Sequence, residues 1–155
     1  MSTGQIWQTI STGLDATLDL AAALGQRLRG GEVIELISDL GGGKTTFVRG
    51  LARGLGSSDA VSSPSFTLSN VYKTEQLQLH HFDFYRLHEV GIMRDELAEV
   101  VQDPQAVTVV EWGDIVADVL PEQRLSVKIK VLDEDKRQFT FAYPENLNYL
   151  FPDNT

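Results

Sequence analysis

The fold is decided by the stretch Glu32-Val33-Ile34-Glu35-Leu36-Ile37-Ser38-Asp39-Leu40-Gly41-Gly42-Gly43-Lys44-Thr45-Thr46. Its first residues form an apolar run typical of a buried strand. Three glycines follow, and then an amphipathic run at 47–53 that predicts a helix. Because glycine has no Cβ to forbid positive φ, such a loop can turn its N–H groups inward at the start of the helix. Amides and a helix N-terminus together bind anions, so the stretch predicts a phosphate site.

The residues after the glycines sharpen this prediction. They approximate the pattern Gly-x-x-x-x-Gly-Lys-[Ser/Thr], in which the lysine contacts the β- and γ-phosphates and the hydroxyl binds Mg²⁺. Lys44 and Thr45 take those two positions, and Ser38 stands where the first glycine is expected. The other interpretation is a strand–turn–helix corner with a chance lysine. The strand before the loop and the helix after it favour the phosphate site.

The composition is that of an ordinary globular chain and predicts a single domain over residues 1–155. Its 13 Lys and Arg against 22 Asp and Glu give a net charge of −9, which argues against tight binding of the chain alone to nucleic acid or to an anionic membrane. The absence of cysteine excludes disulfides and thiolate metal sites. No apolar run is long enough for a membrane span, and no signal-peptide pattern is visible, so a cytoplasmic location is predicted.

Strands and helices alternate along the chain. The predicted strands are 6–10, 33–37, 65–72, 77–83, 107–110, 125–131 and 138–143, the third with the fourth and the last two forming hairpins. The predicted helices are 14–28, with Ser11 or Thr12 as its cap, a second that ends near residue 54, and 96–101. This order predicts a three-layer α/β fold with a mainly parallel sheet and antiparallel strands at its edges.

Two carboxylates follow apolar strands. Asp83 comes after the strand ending at Phe82, and Glu111 comes after the run 107–110. Ligands of open α/β sheets bind beyond the carboxyl ends of the strands, so both acids are expected to face Lys44 and Thr45. A single acid at a strand end is more often a helix cap or a surface charge. Two of them beside a phosphate loop favour function, and Glu111 is the better metal candidate because its strand is the more apolar.

Neighbouring side chains of these strands have simpler explanations. His80 and His81 point to opposite faces of a strand and cannot readily share a metal, so one is predicted at the edge of the core and the other on the surface. Arg86 either steadies a γ-phosphate or pairs with Asp83. Trp112 is either a packing residue or a wall of the site.

Four motifs together resemble a known family. They are Asp39-Leu40-Gly41-Gly42-Gly43-Lys44-Thr45-Thr46-Phe47, Ser63-Pro64-Ser65-Phe66-Thr67-Leu68, His81-Phe82-Asp83-Phe84-Tyr85-Arg86-Leu87 and Glu111-Trp112. Their sequences and spacing resemble TsaE, the ATPase component of bacterial tRNA threonylcarbamoyladenosine synthesis. The resemblance runs from the first helix to about Trp112. Ser38, Ser65 and Gly113 depart from the family pattern.

The resemblance implies a P-loop NTPase-like fold that binds ATP and Mg²⁺ and hydrolyses ATP weakly when alone. Thr45 and Glu111 would hold the metal, and Asp83 would support hydrolysis together with Lys44. Thr12 and Arg137 would lie on the adenine side. The implied switch-like segment contains Ser63, Pro64, Ser65, Phe66 and Thr67. The other implied ATP contacts are Asp39, Leu40, Gly41, Gly42, Gly43, Lys44, Thr45 and Thr46.

The resemblance also implies partners, the TsaD–TsaB pair, which transfers the threonylcarbamoyl group to the adenosine beside the tRNA anticodon. Two other classes of function compete with a partner-dependent ATPase. A stand-alone small-molecule kinase usually carries an arginine-bearing lid, and no arginine-rich insertion is visible here. A nucleotide-binding interaction module would bind ATP without turnover.

Overall fold

A seven-stranded mixed sheet forms the framework of the protein. The computed structural model describes residues 4–38, 43–59, 61, 69–84 and 91–152. The strands are β1 Gln5–Thr12, β2 Val33–Ile37, β3 Ser69–Lys73, β4 Gln78–Asp83, β5 Ala106–Glu111, β6 Leu125–Val131 and β7 Lys136–Tyr143. The helices are α1 Leu14–Arg27, α2 Lys44–Leu55 and α3 Gly91–Val100, with two 3₁₀ helices at Gly113–Val116 and Glu145–Leu150. Within these ranges no helix is long and apolar enough to cross a membrane.

The strand order is β1-β7-β6-β2-β5-β4-β3. The four central strands are mutually parallel, while β3 pairs antiparallel with β4, and β7 pairs antiparallel with both β6 and β1. The predicted hairpins, the antiparallel edges and the α/β class are therefore confirmed. The prediction of a mainly parallel sheet is confirmed for the four central strands only, because β7 pairs antiparallel with β6 and β1 at one edge and β3 pairs antiparallel with β4 at the other.

Helices cover the sheet on both faces. Alternate residues of the central strands, such as Ile34 and Val109, pack against α1 and α2 in the larger core. Their neighbours Val33 and Val110 face the other way and pack with Leu97 of α3 in a smaller core. All the residues of β5 are buried, as expected of a parallel strand covered on both sides.

Two helix predictions need correction. Strand β1 continues to Thr12, so Ser11 and Thr12 belong to a strand and neither caps α1, which begins after Gly13 without a side-chain cap. The Ser11 hydroxyl instead hydrogen-bonds to that of Thr17, at 2.6 Å. The third helix starts at Gly91, five residues before the predicted start, and ends one residue before the predicted end.

Helices α1 and α2 cross unusually closely because glycines line their contact. A Cβ added at Gly54 would lie 2.2 Å from the carbonyl oxygen of Ala22, and one at Gly50 would lie 2.5 Å from the Cβ of Ala21. From the side of α1, a Cβ added at Gly25 would lie 2.4 Å from the carbonyl oxygen of Leu51 on α2. This contact holds the second half of α2, the helix that follows the glycine loop, against α1.

We expect Gly54→Ala to lower the free energy of unfolding by about 1–3 kcal/mol, because the added methyl group meets backbone and pushes the helices apart. Alanine is the better helix former by about 1 kcal/mol, so propensity alone predicts the opposite sign. Urea unfolding at an unchanged m-value measures the difference. Arg53→Ala, at an exposed position of the same helix, is the control and should change stability by less than about 0.5 kcal/mol. A Gly54→Ala protein as stable as the wild type would show that the contact between α1 and α2 accommodates the added methyl group.

Candidate functional site

The last residue of the glycine loop has the backbone conformation that the sequence predicts. Gly43 has φ 101° and ψ 17°, in the left-handed region, and precedes the first residue of α2. Its carbonyl accepts the N–H of Phe47 at 3.0 Å, which closes the first helical turn. Thr45 and Thr46 follow on that turn and are partly buried. Asp39, Leu40, Gly41 and Gly42 lie outside the described residues.

Lys44 reaches from the first position of α2 into the interior. Its side chain is nearly buried, and Nζ lies 3.4 Å from Oε1 of Glu111. Nζ also donates a hydrogen bond to the carbonyl of Ser38 at 3.3 Å. A buried ammonium is costly unless it is paired and hydrogen-bonded, and this one is both. The contact joins the loop's lysine to the end of β5, so Lys44 is not a chance surface lysine.

The two strand-end carboxylates lie side by side. Asp83 is the register partner of Glu111 across the parallel pair β4 and β5. The two residues share the face that carries α1 and α2, and each is only 4% exposed. Both acids are thus on the side of the sheet where Lys44 lies.

His81 occupies a place that the sequence analysis did not give it. It is fully buried, and Nε2 lies within hydrogen-bond distance of Oε2 of Glu111. The prediction of one core-edge and one surface histidine is wrong, since His80 on the opposite face is half-buried and contacts Gln78. The available signal was strand alternation, because His81 is two residues before Asp83 and therefore shares its face.

These neighbours set the ionisation of Glu111. Burial alone would raise the pKa of its carboxyl group, but hydrogen bonding and charge interactions with His81 and Lys44 outweigh burial and hold the pKa below its ordinary value. Glu111 is therefore an ionised carboxylate in the interior. An ionised carboxylate is a hydrogen-bond acceptor and a ligand for hard cations.

Trp112 forms a wall of this cluster. Its indole ring centroid lies 5.0 Å from Lys44 Nζ, which is within range of a cation–π contact. Its backbone has φ 57° and ψ 46°, a left-handed conformation that is unusual for a bulky residue. With 37% of its surface exposed, Trp112 is not simply a packing residue. Strained backbone of this kind often occurs at functional sites.

A cavity of about 250 Å³ opens beside the start of α2. Gly43 and Thr46 line it from the loop and helix, and Arg137 lines it from β7. The remaining lining residues are Gly13, Leu14, Thr17, Glu134, Asp135 and Phe139. The geometry therefore brings Arg137 to the loop. Thr12 is exposed and does not line this cavity, which its neighbour Gly13 lines instead.

Some predicted site residues lie outside the described residues: the loop residues named above, the segment Ser63, Pro64, Ser65, Phe66 and Thr67, and Arg86. Within the described part of the chain, no group of three or more His, Cys, Asp or Glu is placed to hold a metal ion.

Comparison with known proteins gives the family of the chain. The family described as "Threonylcarbamoyl adenosine biosynthesis protein TsaE" matches residues 11–139. The chain belongs to the TsaE family. The match begins on β1 and extends to β7, so it includes the loop, both carboxylates and Arg137.

Individual TsaE proteins align over most of the chain. The "tRNA threonylcarbamoyladenosine biosynthesis protein TsaE" of Bacillus subtilis (strain 168) is 37% identical over 140 residues, which cover 88% of this chain and 84% of the relative. Its namesake in Treponema pallidum (strain Nichols) is 38% identical over 133 residues, covering 86% and 98%. Among solved structures, the crystal structure of B. subtilis YdiB matches with a TM-score of 0.77 at 31% identity, covering 99% of this chain and 95% of that one.

Proposed function

We propose that this protein binds ATP with Mg²⁺ at the loop between β2 and α2 and hydrolyses it. The fold would then be of the P-loop NTPase type, with the nucleotide at the carboxyl ends of β2 and β5. We further propose that hydrolysis supports threonylcarbamoyl transfer to the adenosine beside the tRNA anticodon, in concert with the TsaD–TsaB pair. The names of the TsaE family and its members, which place them in threonylcarbamoyladenosine biosynthesis, support this role.

The observation that carries the proposal is the contact between Lys44 and Glu111. A lysine at the first position of a helix, after a glycine in the left-handed conformation, suits a phosphate that also receives the helix N–H groups. Glu111 at the end of the neighbouring parallel strand suits a metal that bridges such phosphates. Each group carries the charge opposite to that of its own ligand, and without ligands the two groups neutralise each other.

The residues present fit Mg²⁺ rather than a softer metal. Glu111 offers an ionised carboxylate and Thr45 a hydroxyl, which are the hard oxygen ligands that Mg²⁺ prefers. Mg²⁺ is usually held by one or two carboxylates together with substrate phosphates, so the lack of a larger ligand cluster in the described residues agrees with this assignment. When bound, Mg²⁺ neutralises charge on the phosphates.

The chain's own residues divide the remaining work. Lys44 would turn from Glu111 to the β- and γ-phosphates as a point charge, while α2 donates N–H groups from its first turn. Asp83 would orient the attacking water from the strand beside Glu111. Arg137 and Thr46 would border the nucleoside in the cavity beside Gly43. Trp112 would keep bulk water from the phosphate side.

One experiment separates this function from its two rivals. Single-turnover hydrolysis of labelled ATP should be slow with the protein alone and faster when TsaD and TsaB are added, with label transferred only to water. Transfer to another acceptor would indicate a kinase. Binding without turnover in the presence of both partners would indicate an interaction module.

A pull-down with TsaD–TsaB, with and without ATP, tests the proposed partnership.

We expect the isolated protein to bind tRNA negligibly at physiological salt. Strand alternation brings Lys128, Lys130 and Lys136 onto one exposed face, opposite α1 and α2, where they form a small basic patch. Three phosphate contacts give a log–log salt slope of only about −2 to −3, whereas tight binders make about six to ten. A filter-binding titration at two salt concentrations checks this. Tight binding that is lost on charge removal at these three lysines would make the protein a direct RNA binder.

A further inference from the structure

One side chain at the candidate site belongs neither to the loop nor to the strand-end carboxylates. His81 is 0% exposed, on the face of β4 that also carries Asp83. A fully buried imidazole has lost its hydration and needs a hydrogen-bond partner. The partner that the structure provides is Oε2 of Glu111. Because an ionised carboxylate only accepts hydrogen bonds, Nε2 of His81 must carry the proton that it donates.

The two oxygens of Glu111 therefore have different neighbours. Oε2 faces His81, while Oε1 lies 3.4 Å from Lys44 Nζ. His81 is fixed within β4, where its register partner on β5 is the buried Val109. Lys44 has a long, flexible side chain at the start of a helix, so a phosphate in the loop can draw it away. Oε1 would then be uncovered, while Oε2 stayed with His81.

We propose that His81 is a positioning residue that holds Oε2 of Glu111 and leaves Oε1 alone to face the Mg²⁺ that accompanies ATP. The inference rests on the proposed function, since it takes Glu111 to be the metal-binding carboxylate. Hydrogen-bond partners of this kind orient a ligand and, when they are removed, cost about 10- to 100-fold in metal affinity. With Oε2 held by His81, Glu111 would bind the metal through Oε1 only.

This restriction has a consequence for metal choice. Mg²⁺ is small and requires near-octahedral geometry, whereas the larger Ca²⁺ accepts carboxylates that bind through both oxygens. Releasing Oε2 should therefore harm binding with Mg²⁺ more than binding with Ca²⁺. His81 would thus contribute to the preference for Mg²⁺ without touching the ion.

The first experiment uses the ligand-free protein. Nitrogen-15 NMR of the imidazole rings should show His81 with a slowly exchanging Nε2 proton, whose resonance moves in Glu111→Gln. His80 on the opposite face is the internal control and should not respond. A His81 ring with a bare Nε2, or an Nε2 proton indifferent to Glu111→Gln, would overturn the inference without involving ATP.

The second experiment measures ATP affinity by calorimetry with Mg²⁺, with Ca²⁺ and with no metal. For His81→Leu we expect a loss of about 10- to 100-fold with Mg²⁺, a smaller loss with Ca²⁺, and no change without metal. His81→Gln can place an amide donor near the position of Nε2 and should recover most of the Mg²⁺ affinity. His80→Gln is the matched control and should behave as the wild type.

The outcomes separate a positioning role from a structural one. Equal losses in all three conditions, or a His81→Gln protein no better than His81→Leu, would mean that His81 only packs. If His81→Leu does not fold, His81→Gln and the ring-proton experiment decide. A wild-type protein without metal-dependent ATP binding would overturn the proposed function and this inference with it, whereas an intact Nε2 proton would show that the His81–Glu111 contact is nevertheless real.

Discussion

Lys44→Ala should reduce ATP affinity by at least about 30-fold and remove measurable turnover. Truncating one partner of a buried charge interaction costs about 2–5 kcal/mol, and about 1.4 kcal/mol corresponds to each tenfold in affinity. The phosphates lose their point charge, and no other lysine or arginine among the described residues contacts Glu111 to replace it. Calorimetric titration with Mg·ATP and single-turnover hydrolysis with TsaD–TsaB measure the two effects.

The same substitution should also cost some stability, because Glu111 loses the ammonium beside Oε1 and keeps only His81. An ionised buried group that loses one hydrogen-bonding partner typically costs about 1–3 kcal/mol. Lys44→Gln is therefore the better second variant, since it keeps much of the length and a donor while removing the charge. Both variants should show native-like circular dichroism.

Arg53→Ala provides the control for charge. Arg53 lies on the same helix, but it is exposed and lies nine residues beyond Lys44, so its loss should leave ATP affinity unchanged. Undiminished affinity and turnover in folded Lys44→Ala and Lys44→Gln proteins would contradict the phosphate-site assignment itself.

The parts of the structure that the sequence predicts are those encoded by short-range patterns. The apolar run before the glycines predicts β2 at its observed bounds, and the two alternating runs of the tail predict β6 and β7 as a hairpin. The pairing of β1 with β7 is different, since Gln5 lies opposite Tyr143 at the other end of the chain. No local pattern specifies a contact between residues so far apart, so antiparallel edge strands were predicted but the pairing of β1 with β7 was not.

At the candidate site too, features encoded by local sequence patterns were predicted, and features that depend on distant residues were not. Lys44, Asp83 and Glu111 were predictable because each has a fixed place after a strand or before a helix. His81 was missed although the rule that reveals it was already in use, since alternation separates His80 from His81 and also groups His81 with Asp83. The close crossing of α1 and α2 was not predictable, because it depends on Gly25 and Gly54 meeting across two helices.

Neutralising Glu111 should lower the Mg²⁺-dependent affinity for ATP, whereas neutralising Asp83 should lower the rate of hydrolysis. Glu111→Gln should remove most of the Mg²⁺ enhancement of ATP affinity, because a metal ligand acts already in the ground state. Asp83→Asn should leave that enhancement intact and lower the single-turnover rate by about 10²- to 10⁴-fold, which is the usual contribution of a group that handles a proton or positions the attacking water. Both substitutions conserve shape, so the difference reports charge.

Position and burial alone do not distinguish the two acids, because they are register partners on adjacent strands and are equally buried. The contacts of Glu111 indicate its role, since it has a salt bridge to Lys44 at 3.4 Å and a hydrogen bond from His81. A metal that replaces Lys44 at Oε1 is therefore expected at Glu111. Calorimetry with and without Mg²⁺, together with the hydrolysis rate, measures both effects in the same preparations. If Asp83→Asn abolished the Mg²⁺ enhancement while Glu111→Gln preserved it, the roles of the two carboxylates would be exchanged, and Lys44 would be paired at rest with the residue that positions water.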